Sequence, residues 1–285
     1  MQNFQFYTPR SVDDALTFLS DHGEQAKILA GGTDLIPALR QEDLRPAFVV
    51  NILEIGNLRG ITEQDHRVRI GPATTFTEMA ESAVLQRHFP SLVQAASFVG
   101  GPQIRNRGTI GGNIGTASPA ADVLPAVLAL DGELELQSKK SGTRTIPLGR
   151  AIGAPYKPLF QRDEIMTGII LPKLKPEARS AFVKLGRRNA MARARMNLSV
   201  VLSVDREKVI TEIRVVPGAV MPVARRMEGA ERELLGKKPD PPFVDAAARA
   251  LATEMVEVTG TRWSTEYKFH VLPNLFREML KTLLA

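Results

Sequence analysis

The sequence has 285 residues, 44% of them hydrophobic and 24% charged, an ordinary balance for a soluble globular protein and a length that accommodates two domains. No apolar run reaches the length of a membrane span, and residues 1–7 lack the charged and apolar regions of a secretory leader, so a cytoplasmic protein is expected. Cysteine is absent, which excludes disulfides, a thiolate nucleophile and cysteine-held zinc or iron–sulfur centres in this polypeptide; His22, His66, His88 and His270 lack ligand spacing, so no metal is expected here.

Residues 11–20 read as a first helix: Ser11 and Asp14 have the spacing of a capping box, and Val12, Ala15, Leu16 and Leu19 share one face. Residues 27–30 form a short apolar strand that runs into a glycine turn, Ile28-Leu29-Ala30-Gly31-Gly32-Thr33-Asp34-Leu35. Strands follow at 48–52 and 68–71, Thr75 and Glu78 open a helix, and a further helix starts at Pro90 and stops at Gly100-Gly101. A second glycine turn comes at once, Arg107-Gly108-Thr109-Ile110-Gly111-Gly112-Asn113-Ile114-Gly115, roughly eighty residues after the first. Residues 119–130 are an apolar helical stretch, Asp131-Gly132 a turn, 133–137 an alternating strand, Ser141-Gly142 a hairpin into 144–146, and 164–171 a strand closed by Pro172. The polar run 172–177, with two prolines, is the expected boundary between domains at 1–175 and 176–285. Beyond it, strands at 181–185, 198–204 and 209–216 precede helices at 225–235, 242–258 and 265–283, the pattern of a small α+β domain. Pro273 marks a kink in the last helix or a break into two.

The glycine turns carry the chemical signal. Gly-Gly removes Cβ bulk and permits positive φ, so amide N–H groups can come close to an anion, and a neighbouring hydroxyl, Thr33 or Thr109, can donate a further hydrogen bond. Two such loops could hold both ends of a pyrophosphate, which points to a dinucleotide; taken singly, each also reads as a plain turn. Neither has the Gly-x-Gly-x-x-Gly spacing or a Gly-Lys-Ser/Thr ending, which disfavours a Rossmann domain and a P-loop. The formal charge of +6 is a mild excess, densest at Lys184, Arg187, Arg188, Arg193 and Arg195, with Arg179 upstream. Few aromatics and no nucleic-acid motif count against a nucleic-acid surface. A solvated face is one alternative; the preferred reading is an anionic-cofactor contact or a docking face for an acidic partner.

In this order and spacing the turns resemble the FAD-binding medium subunit of molybdenum hydroxylases, the group of the carbon monoxide, xanthine and nicotinate dehydrogenases and quinoline oxidoreductase. The resemblance covers nearly the whole chain: Phe4, Tyr7, Pro9 and Ser11 ahead of a helix, then Ala30-Gly31-Gly32-Thr33-Asp34-Leu35. Its most specific part is Gln103-Ile104-Arg105-Asn106-Arg107-Gly108-Thr109-Ile110-Gly111-Gly112-Asn113-Ile114, continuing into Ala117-Ser118-Pro119-Ala120-Ala121-Asp122-Val123-Leu124-Pro125. Later come Phe182-Val183-Lys184-Leu185-Gly186-Arg187-Arg188, Leu235-Gly236-Lys237, and Ser264-Thr265-Glu266-Tyr267-Lys268 ahead of a C-terminal helix.

The resemblance implies an α+β fold: a vanillyl-alcohol-oxidase-type FAD-binding domain of two subdomains, then a small domain, a three-stranded antiparallel sheet with helices, that closes over the flavin. It implies that Ile28, Leu29, Ala30, Gly31, Gly32, Thr33, Asp34 and Leu35, with Thr109, Ile110, Gly111, Gly112 and Asn113, wrap the FAD pyrophosphate and its neighbours, and that Asp122 and Lys184 approach the cofactor. The residues themselves also allow a helix-end carboxylate at Asp122 and a surface lysine at Lys184. A cation beside the flavin would raise its potential. Several members place an aromatic over the isoalloxazine just after the Arg187-Arg188 position; Asn189-Ala190-Met191-Ala192 has none, leaving the stack missing or Met191 in its place.

The implied function is electron transfer. Electrons released at a molybdopterin cofactor in a large subunit would pass through [2Fe–2S] clusters of a small subunit to FAD held here, in a dimer of heterotrimers. No residue of this chain reads as a general base or nucleophile. Two alternatives stand beside it: a free-standing flavin reductase or oxidase on the same fold, whose catalytic serine and glutamate pattern is not evident, and a cofactor-free scaffold subunit, against which the intact glycine turns argue.

Overall fold

The computed structural model describes residues 3–188 and 191–285. The chain begins with β1 (Gln5–Tyr7), α1 (Val12–His22), β2 (Ala26–Leu29), α2 (Leu35–Arg40) and β3 (Phe48–Asn51), and the strands form a parallel sheet in the order β1-β3-β2. Ser11 caps α1 by accepting from Asp14 N at 3.0 Å, while Ala15, Leu16 and Leu19 turn inward. The Asp14 carboxylate does not complete the expected box. It accepts instead from Arg10 N at 2.9 Å and Tyr7 Oη at 2.6 Å, tying the helix to β1.

The second unit contains β4 (Ile61–Glu63), β5 (Arg67–Ile70), α3 (Phe76–Glu81), α4 (Ala83–His88), α5 (Pro90–Ser97), α6 (Pro102–Arg105), α7 (Ile110–Thr116), α8 (Val123–Ala129), β6 (Glu133–Ser138), β7 (Gly142–Pro147), β8 (Ile152–Ala154), β9 (Lys157–Pro158) and β10 (Glu164–Pro172). Five strands make an antiparallel sheet in the order β4-β5-β10-β6-β7, and β8 pairs with β9. Strand β6 buries Leu134 and Leu136 against Phe76, Phe89, Leu92, Ile110 and Ile114 of the helical layer, as its alternation required. Thr75 and Glu78 make the complete capping box that α1 lacks. One difference from the sequence reading bears on the site. The second glycine segment is no turn; its Gly-Gly pair lies in the first turn of α7.

The third unit is an antiparallel sheet of β11 (Ala178–Gly186), β12 (Ala194–Val204) and β13 (Ile210–Gly218), covered by α9 (Glu228–Leu234), α10 (Pro241–Thr259) and α11 (Thr265–Leu284). The apolar stripe of α11, Leu272, Phe276, Met279, Leu280 and Leu283, is core, and the helix runs unbroken through the buried Pro273. No helix among the described residues is long and apolar enough to cross a membrane.

Helix α8 lies at the junction of the second and third units. Val123, Leu124, Pro125, Ala126, Val127 and Ala129 are all buried, and only Leu128 is partly exposed. Both ends are tied to the third unit by ion pairs: Asp122 to Lys184 of β11, and Asp131, just past the helix, to Arg214 of β13. Arg226 joins the second pair, bonded to Glu231 at 2.8 Å and 3.7 Å from Asp131.

Candidate cofactor site

The fold brings the two glycine segments into direct contact. A methyl group on Gly31 would overlap the Arg107 carbonyl and lie 2.9 Å from Gly108 Cα, so only glycine allows the β2 turn to seat on the loop before α7. The seat is fastened at its far end, where Thr116 Oγ1 donates to Asp34 Oδ2 at 3.0 Å. Gly32 holds φ +76°, a conformation that costs other residues roughly 1–2 kcal/mol.

The backbone amides of the two segments differ. In α7 they are taken: Ile110 N donates to Thr74 O at 3.0 Å, Gly111 N to Pro72 O at 2.8 Å, Gly112 N to Thr109 Oγ1 at 3.1 Å, and Asn113 N to Thr109 O at 3.0 Å. A Cβ on Gly111 would fall 2.7 Å from Pro72 O, so that glycine serves packing within the protein. Thr109 is buried and its hydroxyl is the helix cap. In the first segment Ile36 N donates to Gly32 O and Ala38 N to Asp34 O, but the amides of Gly31, Gly32, Thr33 and Asp34 meet no protein acceptor among the described residues. Consecutive free N–H groups around a left-handed glycine make a concave anion seat.

Two features of α7 suit a ligand beside that seat. Asn113 Oδ1 is buried and has no hydrogen-bond partner, and buried polar atoms are rarely left so. Asn113 is one turn from Thr116 on the same helix face, the face that meets Asp34. Gly115 has open space where a Cβ would stand. Free amides for negative charge, an acceptor awaiting a donor and a smooth helix face fit a nucleotide with a pyrophosphate and ring or sugar donors, which is the chemistry of FAD.

Asp122 and Lys184 meet each other. Lys184 Nζ donates to Asp122 Oδ2 at 2.6 Å and to Phe98 O at 2.9 Å, with both side chains less than a tenth exposed. Asn197 Nδ2 donates to the other carboxylate oxygen at 2.9 Å, and its own Oδ1 is buried without a partner. Burial pushes the Asp122 carboxyl above its ordinary value, and Lys184 and Asn197 act against that rise. Breaking such a pair from one side strands a buried charge, at about 3–5 kcal/mol.

The rest of the basic stretch does not form one face. Arg179 Nη1 donates to Leu283 O at 3.0 Å, Arg188 Nη2 to Met191 O at 2.6 Å, and Arg195 lies over Tyr267. Of the segment without an aromatic, Asn189 and Ala190 lie outside the described residues. Met191 is 58% exposed, and a Cβ on Gly101 would lie 3.3 Å from its Cγ. Sequence reasoning missed Asn197 and Thr116. The visible sign of Asn197 was a lone amide at the head of an apolar strand.

The comparisons agree with this geometry. Residues 2–174 match the model of the FAD binding domain in molybdopterin dehydrogenase, and residues 180–283 that of the CO dehydrogenase flavoprotein C-terminal domain. The chain belongs to the family of FAD-binding flavoprotein subunits of molybdenum hydroxylase-type dehydrogenases, and is thus part of an oxidoreductase. It is 31% identical over 282 residues to the xanthine dehydrogenase FAD-binding subunit of Escherichia coli O157:H7, covering 98% of this chain and 96% of that one. It is 32% identical over 265 residues to the carbon monoxide dehydrogenase medium chain of Hydrogenophaga pseudoflava, covering 93% and 91%. The solved structure of carbon monoxide dehydrogenase from H. pseudoflava lacking the Mo-pyranopterin moiety superposes with a TM-score of 0.91 at 30% identity, over 97% of this chain and 96% of that one.

Proposed function

We propose that this chain is the FAD-holding electron-transfer subunit of a cytoplasmic heteromeric molybdenum hydroxylase, assembled with a large molybdopterin-binding subunit and a small [2Fe–2S] subunit as a dimer of heterotrimers. The carrying observation is the row of unpartnered amides from Gly31 to Asp34 beside the unpartnered Asn113 Oδ1. FAD bound here would accept electrons from the [2Fe–2S] clusters and release them to an external acceptor.

The chain's own residues bind and orient. Ile28, Leu29, Ala30, Gly31, Gly32, Thr33, Asp34 and Leu35 form the pyrophosphate seat, with the amides of Gly31 to Asp34 as its donors. Thr109, Ile110 and Gly111 hold α7 in place through their bonds to protein, and Gly112 and Asn113 present the helix face to the cofactor. Asp122 fixes Lys184 in a buried ion pair, a stationary dipole at the junction between an FAD-binding domain at 1–175 and a C-terminal domain at 176–285. The low exposure of that pair keeps its field from being screened by water and salt.

Purified alone, the chain is expected to bind FAD, with an absorption band near ~450 nm, and to leave the substrate of the complex untouched. Substrate turnover by the isolated chain, or an intact assembly in which this chain carries no flavin, overturns the proposal.

A further inference from the structure

The one tryptophan of the chain and the end of its basic stretch meet on the surface of the third unit. Trp263 stands in the connection between α10 and α11, with 89% of its surface in solvent. Tyr267, one helical turn further, is 42% exposed and lies under the Arg195 guanidinium, 5.7 Å from ring centroid to Cζ. Arg262 precedes the tryptophan, and its Nε donates to Thr259 O at 3.2 Å. Lys268 Nζ donates to Ala219 O at 2.9 Å; burial, then Arg262 and Arg195, push its ammonium below the ordinary lysine value. Among the described residues Arg193, Arg195, Arg262 and Lys268 form no ion pair, and Glu266 in the first turn of α11 pairs with none of them.

Two unfavourable features therefore coincide: an indole hydrated on nearly all sides, and cations crowded without carboxylates. Tryptophan, tyrosine and arginine are the side chains that most often anchor protein interfaces. The indole stands out on an exposed turn, where no neighbouring wall could enclose a small molecule; a second protein surface can enclose it. We propose that Arg195, Arg262, Trp263 and Tyr267 dock an acidic partner protein of the same assembly, one that receives the Trp263 ring in an apolar recess and sets carboxylates against the two arginines. This rests on the reading of the chain as one subunit of a heteromeric complex. The docking face backs onto the candidate site: Ala219, which accepts from Lys268, donates its N–H to Pro119 O at 3.0 Å, just ahead of Asp122. A partner seated there lies across one strand end from the Asp122–Lys184 pair.

The test is hydroxyl-radical footprinting of Trp263, read by peptide mass spectrometry, on the full chain alone and on the complex co-expressed with its large and small subunits. Oxidation of Trp263 is expected to fall about tenfold on assembly, in line with a ring buried at an interface. In the FAD-loaded chain, Trp263→Ala is expected to weaken partner binding about 30-fold or more, as for an interface anchor. Arg195→Gln with Arg262→Gln should abolish the salt dependence of association while the flavin absorption stays unchanged. Equal oxidation of Trp263 in the chain and in a properly assembled, FAD-containing complex overturns this surface and leaves the subunit reading intact. Protection that grows with the concentration of the isolated chain assigns the face to a second copy and overturns the acidic partner. A chain that forms no complex overturns both readings.

Discussion

The glycine segments at Gly31 and Gly111 share a Gly-Gly pair, β-branched neighbours and a nearby threonine, yet they treat their amides in opposite ways. Around Gly111 every N–H from Ile110 to Asn113 is matched to a protein oxygen, and the missing Cβ makes room for Pro72. From Gly31 to Asp34 the N–H groups have no protein oxygen to meet. The same dipeptide thus serves once to pack a scaffold and once beside amides that no protein oxygen meets. A glycine motif becomes a binding motif only where the fold withholds acceptors from it.

That contrast can be broken by mutation, and the largest effect belongs to the ion pair that locks the scaffold. Lys184→Met should destabilise the chain by about 3–5 kcal/mol in denaturant unfolding, because Asp122 is left buried and unpaired. The double variant with Asp122→Asn should recover part of that loss. Gly111→Ala, which pushes a methyl group against Pro72, should cost about 1–3 kcal/mol and lower FAD occupancy only through lost folding. Gly115→Ala sharpens the comparison from the other side. It adds a methyl group in open space and should raise stability by about 0.5–1 kcal/mol while weakening FAD binding in a flavin-fluorescence titration. Asn113→Ala should leave stability nearly unchanged, since Oδ1 bonds to nothing in the protein, and should weaken FAD binding by about tenfold, the worth of one hydrogen bond.

The smallest effect lies far from either segment. Hydrogen bonds from Lys173 and His88 hold the Glu63 carboxyl at about 2, against an ordinary 4.5. A carboxylate with a lowered folded value stabilises above its unfolded value and loses that contribution as pH falls from 4.5 toward 2. Glu63→Gln should flatten the stability profile in that window and leave the neutral-pH FAD titration untouched.

Much of the fold was legible. The order of three strands then three helices after residue 177, the capping signals at Ser11 and Thr75, and the alternation of β6 all express local periodicity. The short elements were not. Strands β1, β4, β8 and β9 carry two or three residues each, too few to show a period, and α2 follows directly on the Gly31 turn. The second glycine segment read as a turn because Gly-Gly disfavours helix; the Thr109 cap and the carbonyls of Pro72 and Thr74, more than thirty residues upstream, override that preference. For the same reason the sequence could mark the right glycines without revealing which pair had spare donors. Asp122 and Lys184 were visible as candidates, but their partnership depends on strand register, and Asn197 on the adjacent strand completes it.

Helix α8 has a consequence for how the molecule lives and dies. With six of its seven residues buried and an electrostatic latch at either end, it behaves as a keel shared by the two halves of the chain. A protease that severs the exposed stretch between β10 and β11 would leave fragments that travel together through gel filtration, and the halves should melt in a single transition.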